Sequence, residues 1–368
     1  MAHTSGTATG TGPGDTGHYK ILELLRTFVT GTLGWVEMRY DGTTIGKIAS
    51  ITCVGTLATV TTNETHGQVS GASITISGCT DATYNGTYSI NVLNTTQFTY
   101  TMAGTPSISP AAGTPVGTGT LVDREVIWKA PGLSSTEQIY IGIKTYQNVS
   151  LGYYNFRINA FTGYLASNSW NTQPGRVSYN ITIPLWAGAI DYDFCGDGAH
   201  LFVYCNVSGN DHSFYIGKPL PYCTPDQWPY PLIVAGMVPS DTATLYSDNS
   251  QVAWWKGNRN NLAMKFVDGT WRTPQVLTSQ MSNTIRNTKA NSTATEVAMP
   301  GYWGLHSLIL SENITGYVNN YCELYGVYFI SGFSNTSGNT ITIGGDTYKV
   351  IGDITKTGFK DYIAFKLG

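Results

Sequence analysis

Charge is scarce in this sequence: 12% of its 368 residues are Asp, Glu, Lys or Arg, about half the share usual in soluble globular chains. The 20 Lys and Arg against 23 Asp and Glu leave a net charge of −3, and no run of basic residues breaks that neutrality. The electrostatic footprint of a nucleic-acid binder is therefore missing. Long apolar runs are missing too. Nothing approaches the roughly eighteen consecutive apolar residues of a membrane-spanning helix, so no membrane insertion is expected. The first residues lack the basic-then-apolar pattern of a secretory leader, so the chain is expected to stay in the cytoplasm where it is made unless it leaves within an assembled particle. The six cysteines form no CxxC pair, which excludes zinc-finger spacing. No glycine-rich phosphate loop is present, Ser134 and Ser135 stand in no nucleophile elbow, and no Ser, His and Asp arrangement is recognisable. No catalytic residue, no metal and no cofactor is expected.

What the sequence has in quantity is Gly, Thr, Ser, Asn and aromatics, with 9 Trp and 24 Tyr. Hydrophobic residues reach 41%, enough to bury cores in a chain of this length. A polar surface with little charge repels copies of itself weakly, which suits a subunit that buries much of itself against neighbours and also suits secreted β-proteins.

Residues 1–17 are Gly- and Thr-rich with almost no apolar side chain and are expected to form a flexible arm. From His18 to Thr30 the apolar residues Ile21, Leu22, Leu24, Leu25, Phe28 and Val29 recur at helical spacing, with Gly31 as the stop. A strand is expected over 35–40. Between 46 and 121 the composition turns to Thr, Ser, Ala and Gly, marking a separate small all-β module with strands at 58–62, 73–77, 86–92 and 97–102. An aromatic-apolar strand resumes at 125–129 as an antiparallel partner for 35–40. The module thus reads as an insertion at a hairpin tip, where extra residues cost little closure entropy. Further strands are expected at 138–146, 153–161, 178–183, 201–207, 213–217, 252–255 and 262–266, and in four segments of the tail. An Asp268-Gly269 hairpin signal follows the last of the central strands, and 277–299 reads as irregular. The expected fold is mainly β: a β-sandwich-like body (18–45 plus 122–368) with one N-terminal helix and an inserted small all-β domain (46–121).

Two sets of segments carry a resemblance. The run from Ala58 to Gly67, then Ile74-Thr-Ile-Ser-Gly78, Tyr84-Asn-Gly-Thr87 and Gln97-Phe-Thr-Tyr100, resembles a small β-module that recurs in phage tail and fibre proteins. Cys79 stands where similar modules usually have a small residue such as Ala. In the body, Glu125-Val-Ile-Trp-Lys-Ala-Pro-Gly-Leu133, Ile139-Tyr-Ile-Gly-Ile-Lys-Thr-Tyr146, Phe161-Thr-Gly-Tyr164, Ile183-Pro-Leu-Trp186 and Trp228-Pro-Tyr-Pro-Leu232 resemble segments of phage virion structural proteins. The resemblance implies a multi-copy tail or baseplate component of the virion, made in the host bacterial cytoplasm, whose partners are other tail or baseplate proteins and copies of itself. It assigns no catalytic residue. The alternative is a receptor-binding or fibre-attachment protein that recognises host surface glycan.

Five prolines between 219 and 231 make this stretch an ordered extended loop. Its aromatics Tyr222, Trp228 and Tyr230 are the candidate partner contacts, set against a loop that only covers a sheet edge. Cys53 and Cys79 both lie in the module, either as a disulfide or as buried thiols. Cys195, His200 and Cys205, with Asp193 and His212 near them, include metal-ligand residue types but match no familiar spacing; buried thiols in a hairpin are the plainer account. Asp191, Asp193 and Asp197 lie too close together to face each other across a sugar. His66 reads as a turn residue. The sequons at Asn148 and Asn313 arise by chance in so Asn- and Thr-rich a chain.

Overall fold

The computed structural model describes residues 1–10, 16–41, 48–63, 66, 68, 70–119, 124–132, 137–148, 151–222, 230–256, 261–277, 304–314, 317–330, 335–354 and 361–368. Strands take 53% of the chain and helix 9%, so the mainly β class holds. The chain divides into two compact units: residues 1–39, 127–143 and 148–368, and residues 40–126 with 144–147.

The first unit begins with β1 (Ala2–Ala8), α1 (Gly17–Thr27) and a π-helical turn (Phe28–Thr32), followed by β2 (Val36–Asp41). The expected flexible arm is corrected here: Ala2–Ala8 is a strand paired antiparallel with a later strand of the same chain. Its side chains bury almost nothing, so the apolar pattern that marks other strands is absent, and backbone hydrogen bonds hold it instead. Ile21, Leu22 and Leu25 of α1 and Phe28 and Val29 of the π-helical turn are buried, as their spacing requires. No side chain caps its N-terminus. The amides of Gly17 and His18 donate instead to the carbonyls of Ala187 and Trp186, at 2.7 and 3.2 Å. That approach needs glycine, because a Cβ at Gly17 would lie 1.9 Å from the Gly188 carbonyl oxygen. The helix also runs through Gly31, the expected stop, and ends at Gly34, whose φ of +70° only glycine takes easily.

The second unit holds β3 (Ile48–Val54), β4 (Leu57–Thr62), β5 (Ser73–Cys79), β6 (Gly86–Asn94), β7 (Gln97–Thr101) and β8 (Gly113–Gly119), in the sheet order β3-β4-β7-β6-β5-β8. Alternate residues fill one core of Ile51, Val60, Ile74, Ile76, Phe98 and Tyr100 with their neighbours. The four expected strands are all present; β8, Gly-Thr-Pro-Val-Gly-Thr-Gly, has no apolar alternation to announce it. Of the two alternatives left open for Cys53 and Cys79, a disulfide or thiols, both are free thiols in the structure. The Tyr84 hydroxyl lies 3.3 Å from the Cys53 sulfur.

The chain continues through β9 (Glu125–Ala130), β10 (Ile139–Asn148), β11 (Tyr153–Phe161), β12 (Ile181–Leu185), β13 (Ile190–Gly196), β14 (His200–Val207), β15 (Asn210–Gly217), β16 (Leu220–Pro221), β17 (Ile233–Ala235), β18 (Leu262–Lys265), β19 (Trp271–Arg272) and β20 (Gln275–Val276). It ends with β21 (His306–Ile314), β22 (Tyr317–Ile330), β23 (Thr340–Ile343), β24 (Asp346–Gly352) and β25 (Tyr362–Lys366). Among the described residues these strands form three sheets. A seven-stranded sheet runs β1-β13-β14-β15-β17-β18-β19, a five-stranded one β12-β11-β10-β9-β2, and a third β20-β21-β22-β25-β24-β23 with β16 beside β22.

The seven-stranded sheet is packed on both faces. Phe194 meets Phe28 of the helical segment at 6.0 Å between ring centroids, and Ile181 and Ile183 lie over Gly236 on the same face. On the opposite face Phe202 stacks on Phe365 at 4.4 Å, and Cys322 touches Met264. Its inner strands β14, β15, β17 and β18 are accordingly buried at nearly every position, on both sides. The expected strand at 252–255 gives way to a 3₁₀ turn, Trp254–Lys256, in which the successive rings of Trp254 and Trp255 meet edge-on at 5.3 Å, whereas a strand would send them to opposite faces.

Candidate functional site

The proline-rich segment is where sequence places a contact surface. Of its three aromatics, Tyr222 is 51% exposed, Tyr230 is half-buried, and Trp228 lies outside the described residues, as does the loop from 223 to 229. Tyr222 is fixed by the short β16, whose Leu220 and Pro221 pair with Glu323 and Cys322, and its own amide donates to the Tyr321 carbonyl at 2.9 Å. Alternation on β22 then buries Cys322 and Leu324 and leaves Tyr321 and Glu323 partly open.

A tyrosine, carboxylate and guanidinium surface grows from this pairing. The Tyr222 hydroxyl donates to Glu323 Oε2 at 3.2 Å, and the Tyr321 hydroxyl donates to Glu312 Oε2 at 2.8 Å. Arg272 donates to the same Glu312 oxygen at 3.3 Å and to Asp268 Oδ2 at 2.6 Å. Its guanidinium carbon lies 4.4 Å from the centroid of Phe266, and that ring meets Tyr321 edge-on at 4.6 Å. Beside them the Lys265 ammonium sits over the Trp271 ring. The Asp268-Gly269 hairpin anticipated from sequence builds one side of the surface: Asp268 accepts from the Thr270 amide and hydroxyl, which turns Trp271 and Arg272 back toward Phe266.

The electrostatics favour binding groups rather than reactive ones. The Thr270 hydroxyl and amide, with help from Arg272, hold the Asp268 carboxyl down at about 2. Burial, then the charge of Glu323, pushes the Tyr222 hydroxyl up to about 12; burial and Glu312 raise Tyr321 in the same way. At neutral pH both tyrosines are therefore protonated donors. Such a surface presents aromatic rims next to paired charges, chemistry that suits polar ligands with flat apolar faces and the aromatic anchors of protein interfaces alike. Glu312, Tyr321, Glu323 and Arg272 were not anticipated. They come from strands up to a hundred residues from Tyr222, and the hairpin signal at Asp268 was the one local clue.

The other sequence candidates separate. Cys205 and His212 are cross-strand partners, while Asp193 and Cys195 lie on alternate rows facing the opposite side of the sheet. His200 is taken by Asp197 and the Lys218 carbonyl. Among the described residues no three His, Cys, Asp or Glu side chains gather to hold a metal ion. Burial pushes the Cys195 and Cys205 thiols far up, so both are inert. The acidic trio is divided likewise: Asp191 is exposed and accepts from Thr7, Asp193 is buried against His3 and Lys349, and Asp197 receives the amides of Ala199 and His200. His66 braces its turn, accepting from the Gln68 amide and contacting the Asn94 carbonyl. No described helix is long and apolar enough to cross a membrane.

Neither known protein families nor curated proteins give a match to this sequence. Among solved structures the phage phi92 endosialidase is similar at a TM-score of 0.24 and 13% identity, over 89% of this chain. The chain spans about half of that protein, 52% of its length.

Proposed function

We propose that this chain is a structural component of a bacteriophage particle, a multi-copy tail or baseplate protein that works through subunit assembly. One observation carries the reading. Four of the five body segments that resemble phage virion proteins fall on or directly beside the consecutive strands β9, β10, β11 and β12 of one sheet. The resemblance therefore follows a unit of fold rather than scattered short matches. The low charge of the surface supports it, since weakly repelling copies pack closely. Its partners would be copies of itself and neighbouring tail or baseplate proteins, and its location the virion. Immunogold electron microscopy of the source phage with antibody to this chain tests the reading. Labelling at the neck, tail or baseplate is expected, and unlabelled intact and disrupted particles would overturn it.

The tyrosine surface favours a second reading, attachment to host surface glycan. Here Tyr222 and Tyr321 would receive sugar faces while Glu323 and Arg272 bond hydroxyls. Binding of the isolated protein to a glycan array, lost in Tyr222→Ala, is its expected signature; an inert protein would count against it.

A further inference from the structure

β1 pairs with β13 along its whole length, from Ala2 opposite Gly196 to Ala8 opposite Ile190, and is the edge of the seven-stranded sheet among the described residues. Its side chains add little to that pairing. Ala8 alone of its seven residues is buried. Beyond the backbone ladder it is held by Thr7 donating to Asp191 at 2.6 Å, by His3 against Asp193 at 2.9 Å, and by Gly6 lying flat on Tyr192, where a Cβ would come 3.0 Å from the ring hydroxyl. β1 is in effect a peptide laid on an edge that exists without it. Asp193 keeps Lys349 as a second partner, Tyr192 stacks on Phe194 at 4.3 Å, and β14 pairs with β13 from the other side.

Between this strand and α1 stand the eight residues 9–16, which include Gly10, Gly12, Pro13 and Gly14. Eight extended residues reach at most about 27 Å, which sets how near the β13 edge of an adjacent molecule must lie for β1 to pair with it. Every contact β1 makes would be the same there, so the choice between its own sheet and a neighbour's depends on tether entropy against the local concentration of edges, which an assembly raises. We infer that β1 is an exchangeable strand: in the assembled form it completes the seven-stranded sheet of a second copy of this chain by pairing with that copy's β13. This rests on the assembly reading and adds the segment and register through which copies are joined.

Two full-length variants, Thr7→Cys and Asp191→Cys, test it, because these positions are opposite each other in the β1–β13 register. The two are co-expressed with different tags, assembled and oxidised beside the wild-type chain. Strand exchange yields a disulfide-linked species of twice the chain mass that carries both tags and is absent from the wild type. An assembled oligomer without that species, while the double variant closes its bridge within one chain, would overturn the exchange and leave the assembly reading standing. A chain that stays monomeric at every concentration would overturn both.

Discussion

The two units solve the problem of buried polar groups in opposite ways. In the module the partners are near in sequence: Asp81 accepts from Thr83 and Ser107, Asn85 bonds both backbone groups of Cys79, His66 reaches Asn94, and the Tyr100 hydroxyl donates to the Tyr84 carbonyl. In the body several of them are remote. Trp35 donates to the Asp197 carbonyl, 162 residues on; Asp193 pairs with Lys349 across 156 residues; Ser337 donates to Asp211 across 126. A unit whose polar contacts close within short loops has low contact order and forms without the rest of the chain. A unit pinned by distant pairs completes its core only when both halves have arrived.

The largest test of this contrast is Asp211→Ala. The buried Asp211 carboxylate accepts from the Tyr204 hydroxyl at 2.8 Å, the Gly352 amide at 3.1 Å and the Ser337 hydroxyl, so it ties β14 to the β23–β24 region. Removing it leaves several buried donors unsatisfied, at a cost of about 3 kcal/mol or more. Urea denaturation followed by hydrogen exchange should show protection falling in β14, β15 and β24 while β4 and β7 keep theirs. If the module lost protection equally, the two units would not be independent.

A smaller effect separates the units by pH. His212 is fully buried on β15, and burial lowers its ring to about 4 against the opposing pull of Asp211 and the Tyr246 backbone. Its folded value lies below the roughly 6.5 of an unfolded histidine. Stability is therefore fully present above that unfolded value and is lost as pH falls toward 4, by up to about 3 kcal/mol. The body should unfold more readily in urea at pH 4.5 than at pH 7, and His212→Leu should flatten that part of the profile. A slope unchanged in the variant would sink the assignment.

The same distinction explains what could be read from the sequence. The helix was legible because its buried face recurs every three or four residues, and four module strands were legible because β-branched residues alternate between clear turns. β13 was hidden. Its Asp191 and Asp193 look like a loop until Lys349, far along the chain, appears beside Asp193. β1 was hidden for the reverse reason, since it pairs through its backbone and buries almost no side chain. The tandem Trp254 and Trp255 imitate a strand, and only packing shows them splayed around a turn. At the candidate site Tyr222 was legible from its proline setting. Tyr321, Glu312 and Arg272 were not, because pairing between β21, β22 and the neighbouring segments brings them to it.

The smallest expected effect lies in the module. The Tyr84 ring is fully buried, its hydroxyl donates to the Ile108 carbonyl at 2.7 Å, and burial, reinforced by Cys53, pushes its ionisation up to about 12, so it remains a donor throughout the ordinary pH range. Tyr84→Phe keeps the ring and its packing and removes this one bond, leaving the Ile108 carbonyl and the Cys53 thiol without their hydroxyl partner. A net loss of about 1 kcal/mol follows. Because the partners of Tyr84 all lie within the module, the loss should appear only there, as faster exchange of amides in β4, β6 and β7, with Asp211-dependent protection in the body untouched. Equal softening of both units would mean that the module draws stability from beyond its own core, and the autonomy argued from its short-range polar contacts would fail.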